Sequence, residues 1–459
     1  MKKALAMAMS TCLLATSLVG CGSNESKQPE ASSTPAPSTE AAASPEASAE
    51  AADPSAVSGT LRFNWWGGDD RHTATLEAVK AFEAKYPNIK VESEYGGWDG
   101  HAEKITTQMT GGTAADVLQV NYDWLSKFSP DGTGFLDLES MGSYLDLSTF
   151  SEDVLTFGRR KGILNAIPVS TTGRSMYFNK TTFDKVGAEL PKTWDDLLAL
   201  GEKFSAQGLY PYDLDTGSGF PGWYNSIVYM QQKTGRLFIN EDGTLGFTQE
   251  DIKEGLDFYK SLEDAKVIRT QEQRSNEAGT TPLYQTPSWL DGKVAGVLEW
   301  SSSIGKFESA LEEKGQELVL GNLLTLDGAQ STGWFMKPSL LFAINKDTKS
   351  PEAAAVLLNY ILNDPEAAVI LGTTRGIPAS SAAKEALQAA GELEGLAYEG
   401  TKQIEDCQPI IMSPYLENSI MKEIYKEAVE AVSYGTATTE EAAATMYEEL
   451  VDTLESIAQ

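Results

Sequence analysis
The run Leu61-Arg62-Phe63-Asn64-Trp65-Trp66, closed by Gly67-Gly68-Asp69-Asp70, sets the fold class. It reads as a strand that ends in a turn. A helix follows, with Leu76, Val79 and Phe82 on one face and Pro87 as its stop. Ile89-Lys90-Val91-Glu92 alternates as a second strand. His101 to Met109 reads as a helix, Gly111-Gly112 breaks it, and Asp116-Val117-Leu118-Gln119-Val120 is a third strand. This βαβαβ order predicts a mainly parallel sheet with helices on its faces. The alternation resumes downstream. Strands are expected at Met176-Tyr177-Phe178, Val294 to Glu299 and Leu340 to Ile344. Thr193 with Asp196 forms a capping box, and helices start at Ser350-Pro351 and Asp364-Pro365. The last helix runs from about Thr439 to Ile457.

Ahead of this body lies an address. Lys2 and Lys3 precede a short apolar stretch, as in a secretory signal peptide covering residues 1–20. Leu18-Val19-Gly20-Cys21 has the form of a bacterial lipobox, so Cys21 is expected to become the lipidated mature N-terminus, carrying palmitate-type acyl chains. Residues 22–58 are Ala, Ser, Pro, Thr and Glu without an aromatic, the composition of a disordered tether. A flexible chain of that length spans roughly 30–36 Å on average.

Composition excludes several classes of function. The chain has 459 residues with 36 Lys+Arg against 66 Asp+Glu, a formal charge of −30, which becomes −32 once Lys2 and Lys3 are removed. Such a surface repels phosphate backbones, so no nucleic-acid partner is expected. The only histidines are His72 and His101, and the only cysteines Cys12, Cys21 and Cys407, which leaves no metal-ligand cluster and no disulfide framework. Cys407 reads as a buried, inert thiol. Phosphate-loop, zinc-protease, nucleophile-elbow and EF-hand spacings are missing. Neither a catalytic set nor a cofactor is assigned, although a carboxylate pair of the glycosidase kind cannot be picked out or excluded among so many acids.

Tryptophan in loops is the positive signal. Trp65 and Trp66 end the first strand beside Asp69, Arg71 and His72. Trp98 sits among glycines, and Asn121, Tyr122 and Asp123 follow the third strand. Trp223 follows a Pro-Gly turn, Trp300 ends a strand and Trp334 precedes Lys337. Ligands of open α/β sheets bind beyond the carboxyl ends of the strands. Flat rings beside Asp, Asn and Arg suit a sugar, the ring taking C–H groups and the polar groups taking hydroxyls. Core packing is the competing reading for each ring, and Trp194 and Trp289 are assigned to the core. Trp66 and Trp300 are expected to stack on sugar from opposite lobes.

The layout resembles the family 1 extracellular solute-binding proteins, lipid-anchored receptors of sugar-importing ABC transporters, over about Gly59 to Ala458. The generic features are Met109-Thr110-Gly111-Gly112-Thr113-Ala114-Ala115-Asp116-Val117, Pro191-Lys192-Thr193-Trp194-Asp195-Asp196-Leu197 and Asp291-Gly292-Lys293-Val294-Ala295. Trp65-Trp66-Gly67-Gly68 with Arg71-His72, Gly96-Gly97-Trp98-Asp99-Gly100-His101, Arg174, Phe335-Met336-Lys337-Pro338 and Arg375-Gly376-Ile377-Pro378 are similar to the branch that binds oligogalacturonides.

The resemblance implies a two-lobed, type II periplasmic-binding-protein-like α/β fold with an interlobe hinge and a central cleft. It places the amino lobe at 59–168 plus 328–374 and the carboxyl lobe at 174–322 plus 380–459. Crossings fall near Pro168 to Gly173, Leu323 to Gly328 and Arg375 to Ala379. It further implies a monomer on the outer face of the cell membrane that captures short, acidic oligosaccharides and hands them to permease subunits. Arg71, Arg174, Lys337 and Arg375 would supply positive charge, or pair instead with local acids. A neutral-oligosaccharide receptor, a surface glycosidase and a polysaccharide adhesin are the alternatives.

Overall fold
The computed structural model describes residues 53–98, 100–214, 219–279 and 281–457. The signal peptide, Cys21 and most of the tether lie outside these residues. The tether's last residues are ordered: Asp53 caps the short 3₁₀ helix Pro54–Ala56, and Val57 packs against the core that follows.

Among the described residues ten strands form, in chain order β1 (Gly59–Trp66), β2 (Ile89–Gly96), β3 (Val117–Val120), β4 (Arg159–Arg160), β5 (Ile163–Leu164), β6 (Ala166–Asn179), β7 (Gly296–Trp300), β8 (Leu318–Leu320), β9 (Phe335–Ile344) and β10 (Ile410–Ile411). The main sheet runs β2-β1-β3-β9-β6-β7, with β10 beside β9 and β8 beside β6. The strands β1, β2 and β3 are parallel, as the βαβαβ pattern predicts. The expectation of a mainly parallel sheet fails beyond β3. The β3–β9, β9–β6, β6–β7 and β6–β8 pairs are all antiparallel, because β9 runs back from the carboxyl lobe against both β3 and β6, and β7 and β8 return along β6, while the short β10 is parallel to β9.

The long strand β6 organises the two lobes. Its first half pairs with β9 from Ala166↔Ala343 to Gly173↔Met336, and its second half pairs with β7 from Arg174↔Trp300 to Phe178↔Gly296. At the change of partner a Cβ on Gly173 would come within 2.7 Å of the Phe335 carbonyl, so the strands can approach only through a glycine. The amino lobe packs both faces of its sheet. Leu61, Phe63 and Trp65 meet Val79, Phe82 and the helix Pro351–Asn363 on one side, and Trp66, Leu118 and Val120 meet Ile105 and Trp124 on the other. The carboxyl lobe gathers Met176, Phe178, Trp194, Trp223 and Trp334 in one core, and Tyr177, Trp289, Val297 and Phe307 in a smaller one. Among the described residues no single helix is long and apolar enough to cross a membrane.

Two expected boundaries move. Residues 328–334 belong with the carboxyl lobe rather than the amino lobe. The Gln330 backbone N–H donates to the Gln232 carbonyl at 2.6 Å, Gln231 donates to the Gly333 carbonyl, and Trp334 lies in that lobe's core. The chain therefore recrosses along β9 itself. The third passage also comes later than expected. Ser380 is bonded to Asn363, and the helix Ser381–Ala390 packs on Pro365–Leu371 of the amino lobe. Leu396 is the first residue after it to join a carboxyl-lobe core.

Candidate ligand-binding cleft
Adjacent strand residues point to opposite faces, so Trp65 and Trp66 cannot act together. Trp65 is fully buried with Phe63. Its indole N–H donates to His72 Nδ1 at 3.1 Å, and its ring stacks on Tyr95. Its assignment to the ligand is corrected, and His72 is its support. Trp66 is 8% exposed and is packed against Trp98, His101 and Trp124, with ring centroids 5.3–5.4 Å away. It backs a wall whose outer member is Trp98, which is 49% exposed and lies parallel to Trp124. Burial, with Lys104 nearby, pushes the His101 imidazole down to about 4, so it packs among these rings as a neutral group.

This wall borders a cleft of about 710 Å³. Trp98, Asn121, Asp123 and Trp124 line it from the amino lobe, Lys337 from the crossing strand β9, and Tyr415, Glu417 and Lys422 from the carboxyl lobe. Burial raises the Asp123 carboxyl above its usual range, against the hydrogen bond from Asn121 that lowers it. Tyr122, between these two, turns inward against Phe157 and is buried, which removes it from the candidate set. Trp223 and Trp334 are removed for the same reason. Both are core residues of the carboxyl lobe, the Trp334 indole donating to the Leu324 carbonyl and lying parallel to Trp194. Asp69 is exposed in the first turn of the helix Asp69–Lys85, where its charge favours the helix start.

Trp300 ends β7 and is half-buried. The Arg174 guanidinium lies 4.7 Å from its ring centroid and Lys337 Nζ lies 4.4 Å away. Arg174 also donates to the Leu298 carbonyl. Lys337 forms an ion pair with Glu417. The indole is thus a seat for two cations, which differs from the bare stacking face expected of it.

The remaining two arginines lie together in the amino lobe. Arg71 donates to the carbonyls of Thr374 and Trp66, each at 3.0 Å, and burial pushes its guanidinium down to about 10. Arg375 donates through Nε to Gln119 Oε1 at 3.0 Å, while Gln119 donates to the same Trp66 carbonyl. Both terminal nitrogens of Arg375 are buried without a hydrogen-bond partner. Burial and then the charge of Arg71 lower its ionisation well below the usual arginine range. Among the described residues neither arginine has a carboxylate partner. The loop that carries Arg375 is tied to both crossing strands, because its carbonyl accepts from Ser170 and Ser339. Gly376 follows at φ 91°, where a Cβ would approach Ser170 Oγ to 2.9 Å and Ser302 of the carboxyl lobe to 3.5 Å.

Two residues of this arrangement are new. Gln119 had a sequence signal, a lone polar residue in an apolar strand. Glu417 had none, since nothing in Ser413-Pro414-Tyr415-Leu416-Glu417 marks it as facing a cleft.

A model of the bacterial extracellular solute-binding protein family matches residues 68–368. A solved periplasmic oligogalacturonide-binding protein from Yersinia enterocolitica, in complex with saturated digalacturonic acid, is 35% identical. Its TM-score is 0.79, with 87% of this chain and 100% of that chain covered. A maltooligosaccharide ABC transporter solute-binding lipoprotein from Streptococcus pneumoniae is 23% identical over 351 residues, 74% of this chain and 77% of the relative. Binding proteins of Brucella abortus are 31% identical over 201 residues, 41% of this chain and 46% of theirs, so the match spans about half the length of these curated relatives.

Proposed function
Because the chain belongs to the bacterial extracellular solute-binding protein family, we propose that it is the oligosaccharide receptor of an ABC importer, with a preference for short, acidic, galacturonate-type sugars. The observation that carries the acidic preference is the Arg71–Arg375 pair, held largely out of water with no carboxylate beside it among the described residues. A buried cation without a counter-charge costs stability. A ligand carboxylate removes that cost and gains charge-assisted hydrogen bonds, for which the planar guanidinium is well shaped. The digalacturonic acid bound by the Yersinia protein supports the same choice of ligand.

The two lobes supply the mechanism. A sugar that enters between them touches Trp98, Asn121 and Asp123 on one side and the Trp300 neighbourhood on the other. Such two-sided contacts exist only when the lobes are together, so binding favours closure, and the permease reads the closed form. The bending falls on β6 and β9, the strands that run between the lobes. Gly376, next to Arg375, lies against Ser302 of the carboxyl lobe, so on this reading opening is what admits a carboxylate to Arg375. The protein releases its ligand unchanged and is a receptor, not an enzyme. Cys21 holds it by lipid on the outer face of the cell membrane, as the lipobox and the lipoprotein relative support.

A neutral-sugar receptor is the rival reading, and the Lys337–Glu417 pair favours it by leaving that lysine neutralised. Thermal shift against digalacturonate, trigalacturonate, maltotriose and diacetylchitobiose separates the two. Ligand at 100 times its dissociation constant adds ~2.7 kcal/mol, a visible rise in melting temperature. The galacturonates should give it. A response to maltotriose or diacetylchitobiose alone would replace the acidic reading with the neutral one.

A further inference from the structure
The ion pair of Lys337 and Glu417 stands where the cleft meets the carboxyl lobe. Lys337 is on β9, beside Trp300. Glu417 is in the segment leading to the helix Ser419–Ser433, anchored by the buried Leu416 and Met412. Both side chains line the 710 Å³ cleft. Burial pushes the Glu417 carboxyl up, but Lys337, then Lys422 and Arg174, outweigh it and the net shift is downward. Three cations therefore converge on one carboxylate at the wall of a sugar-sized space. That is the environment an anionic ligand group would need, and the chain's own side chain already fills it. Asp123 lines the same space, and the charge of Glu417 adds to the burial that raises its carboxyl. This part of the cleft is unfavourable to a further anion, in contrast to the surroundings of Arg71 and Arg375, which lack a carboxylate among the described residues.

We infer that Glu417 is a specificity-determining residue, an internal carboxylate occupying an anion subsite on Lys337 and so denying it to a second uronate. The inference rests on the acidic-sugar reading. It narrows the ligand class to an oligosaccharide that places a neutral or esterified unit beside Lys337 and keeps its uronate carboxylate elsewhere. The cations around Glu417 are retained when its charge is removed, so that part of the cleft then accepts a second carboxylate.

The test is calorimetric titration of digalacturonate and its carboxyl-reduced neutral counterpart into wild type and Glu417→Gln. The glutamine keeps the volume and an oxygen acceptor for Lys337. Digalacturonate should bind the variant at least about tenfold more tightly than wild type, the scale of one hydrogen bond between charged groups. The neutral sugar, which brings no carboxylate to Lys337, should gain clearly less than digalacturonate does. If wild type prefers digalacturonate but Glu417→Gln binds it no better, the assignment of Glu417 is wrong and the acidic reading stands. Weaker binding of both sugars to the variant likewise overturns it, since Glu417 would then be accepting a sugar hydroxyl. A wild type that prefers the neutral sugar overturns the acidic reading and this inference together. Should Glu417→Gln not fold, Glu417→Asp draws the carboxylate back by one methylene. It should tighten digalacturonate about threefold, as a partial loss of one ion-pair contact, and no gain there is equally a refutation.

Discussion

Two pairs of arginines, Arg269 and Arg274 in the carboxyl lobe and the partly buried Arg71 with the buried Arg375 in the amino lobe, stand in opposite circumstances. In the carboxyl lobe Arg269 pairs with Asp213 and Glu277, and Arg274 lies 3.2 Å from Asp213 and 3.8 Å from Glu263 while donating to Tyr259. Burial lowers both guanidiniums, but the surrounding acids and Tyr259 more than reverse it. In the amino lobe the described hydrogen bonds of Arg71 and Arg375 go to backbone carbonyls and an amide, Arg375 also lies 5.5 Å from the Phe342 ring centroid, and both are shifted downward. The first pair has its counter-charges built in and ties together the helices Gln249–Asp264 and Gln271–Ala278, with Ser433 reaching Glu263 from a third. The second has none among the described residues. The contrast separates arginine used as a joint from arginine without a built-in counter-charge, which the proposed function holds for a ligand carboxylate. Sites kept for function commonly cost a protein some of its stability.

That contrast can be broken by substitution. The largest effect belongs to the joint. Asp213→Ala removes the carboxylate that two buried cations share and should lower unfolding stability by ~3–5 kcal/mol, read as a fall in the urea midpoint at unchanged slope. A loss below about 1 kcal/mol would mean that the carboxyl-lobe cluster is not the joint described. Arg375→Met should do the reverse in the ligand-free protein. An apolar side chain of similar length in place of an uncompensated charge is expected to be neutral or stabilising by ~1–4 kcal/mol. A clear destabilisation would show that Arg375 is structural after all, like Arg269. The smallest effect is for Arg71→Lys, which keeps the charge but loses the fork that reaches Thr374 and Trp66 at once. One hydrogen bond is lost, so stability should fall by ~0.5–1.5 kcal/mol, measurable as a small drop in melting temperature with folding intact by circular dichroism.

The parts of the molecule differed in how legible they were. Alternation and glycine breaks placed β1, β2 and β3, because each is a local pattern that its own residues determine. β6 was less visible. Its middle, Ser170-Thr171-Thr172-Gly173, carries no apolar alternation, yet it is the strand that joins the lobes. Only pairing with β9 makes it a strand, and pairing is not local. The same limit governs the tryptophans. Trp98 and Trp223 look alike in sequence, each beside a glycine, yet one is half exposed and the other wholly buried. Strand parity alone would have separated Trp65 from Trp66. The arginines were found through the family resemblance and their place near the crossings. Gln119 and Glu417 act through partners more than 75 residues away, Arg375 and Lys337 respectively, so no window of sequence exposes them.

On the proposed function the amino-lobe arginines wait for a ligand carboxylate. Calorimetric titration of digalacturonate and its carboxyl-reduced counterpart into wild type and Arg375→Met tests it most directly. Wild type should prefer the acidic sugar by at least about tenfold. Arg375→Met should lose most of that preference while holding the neutral sugar as before. Equal or tighter binding of the neutral sugar by wild type, or an undiminished acidic preference in Arg375→Met, would contradict the claim.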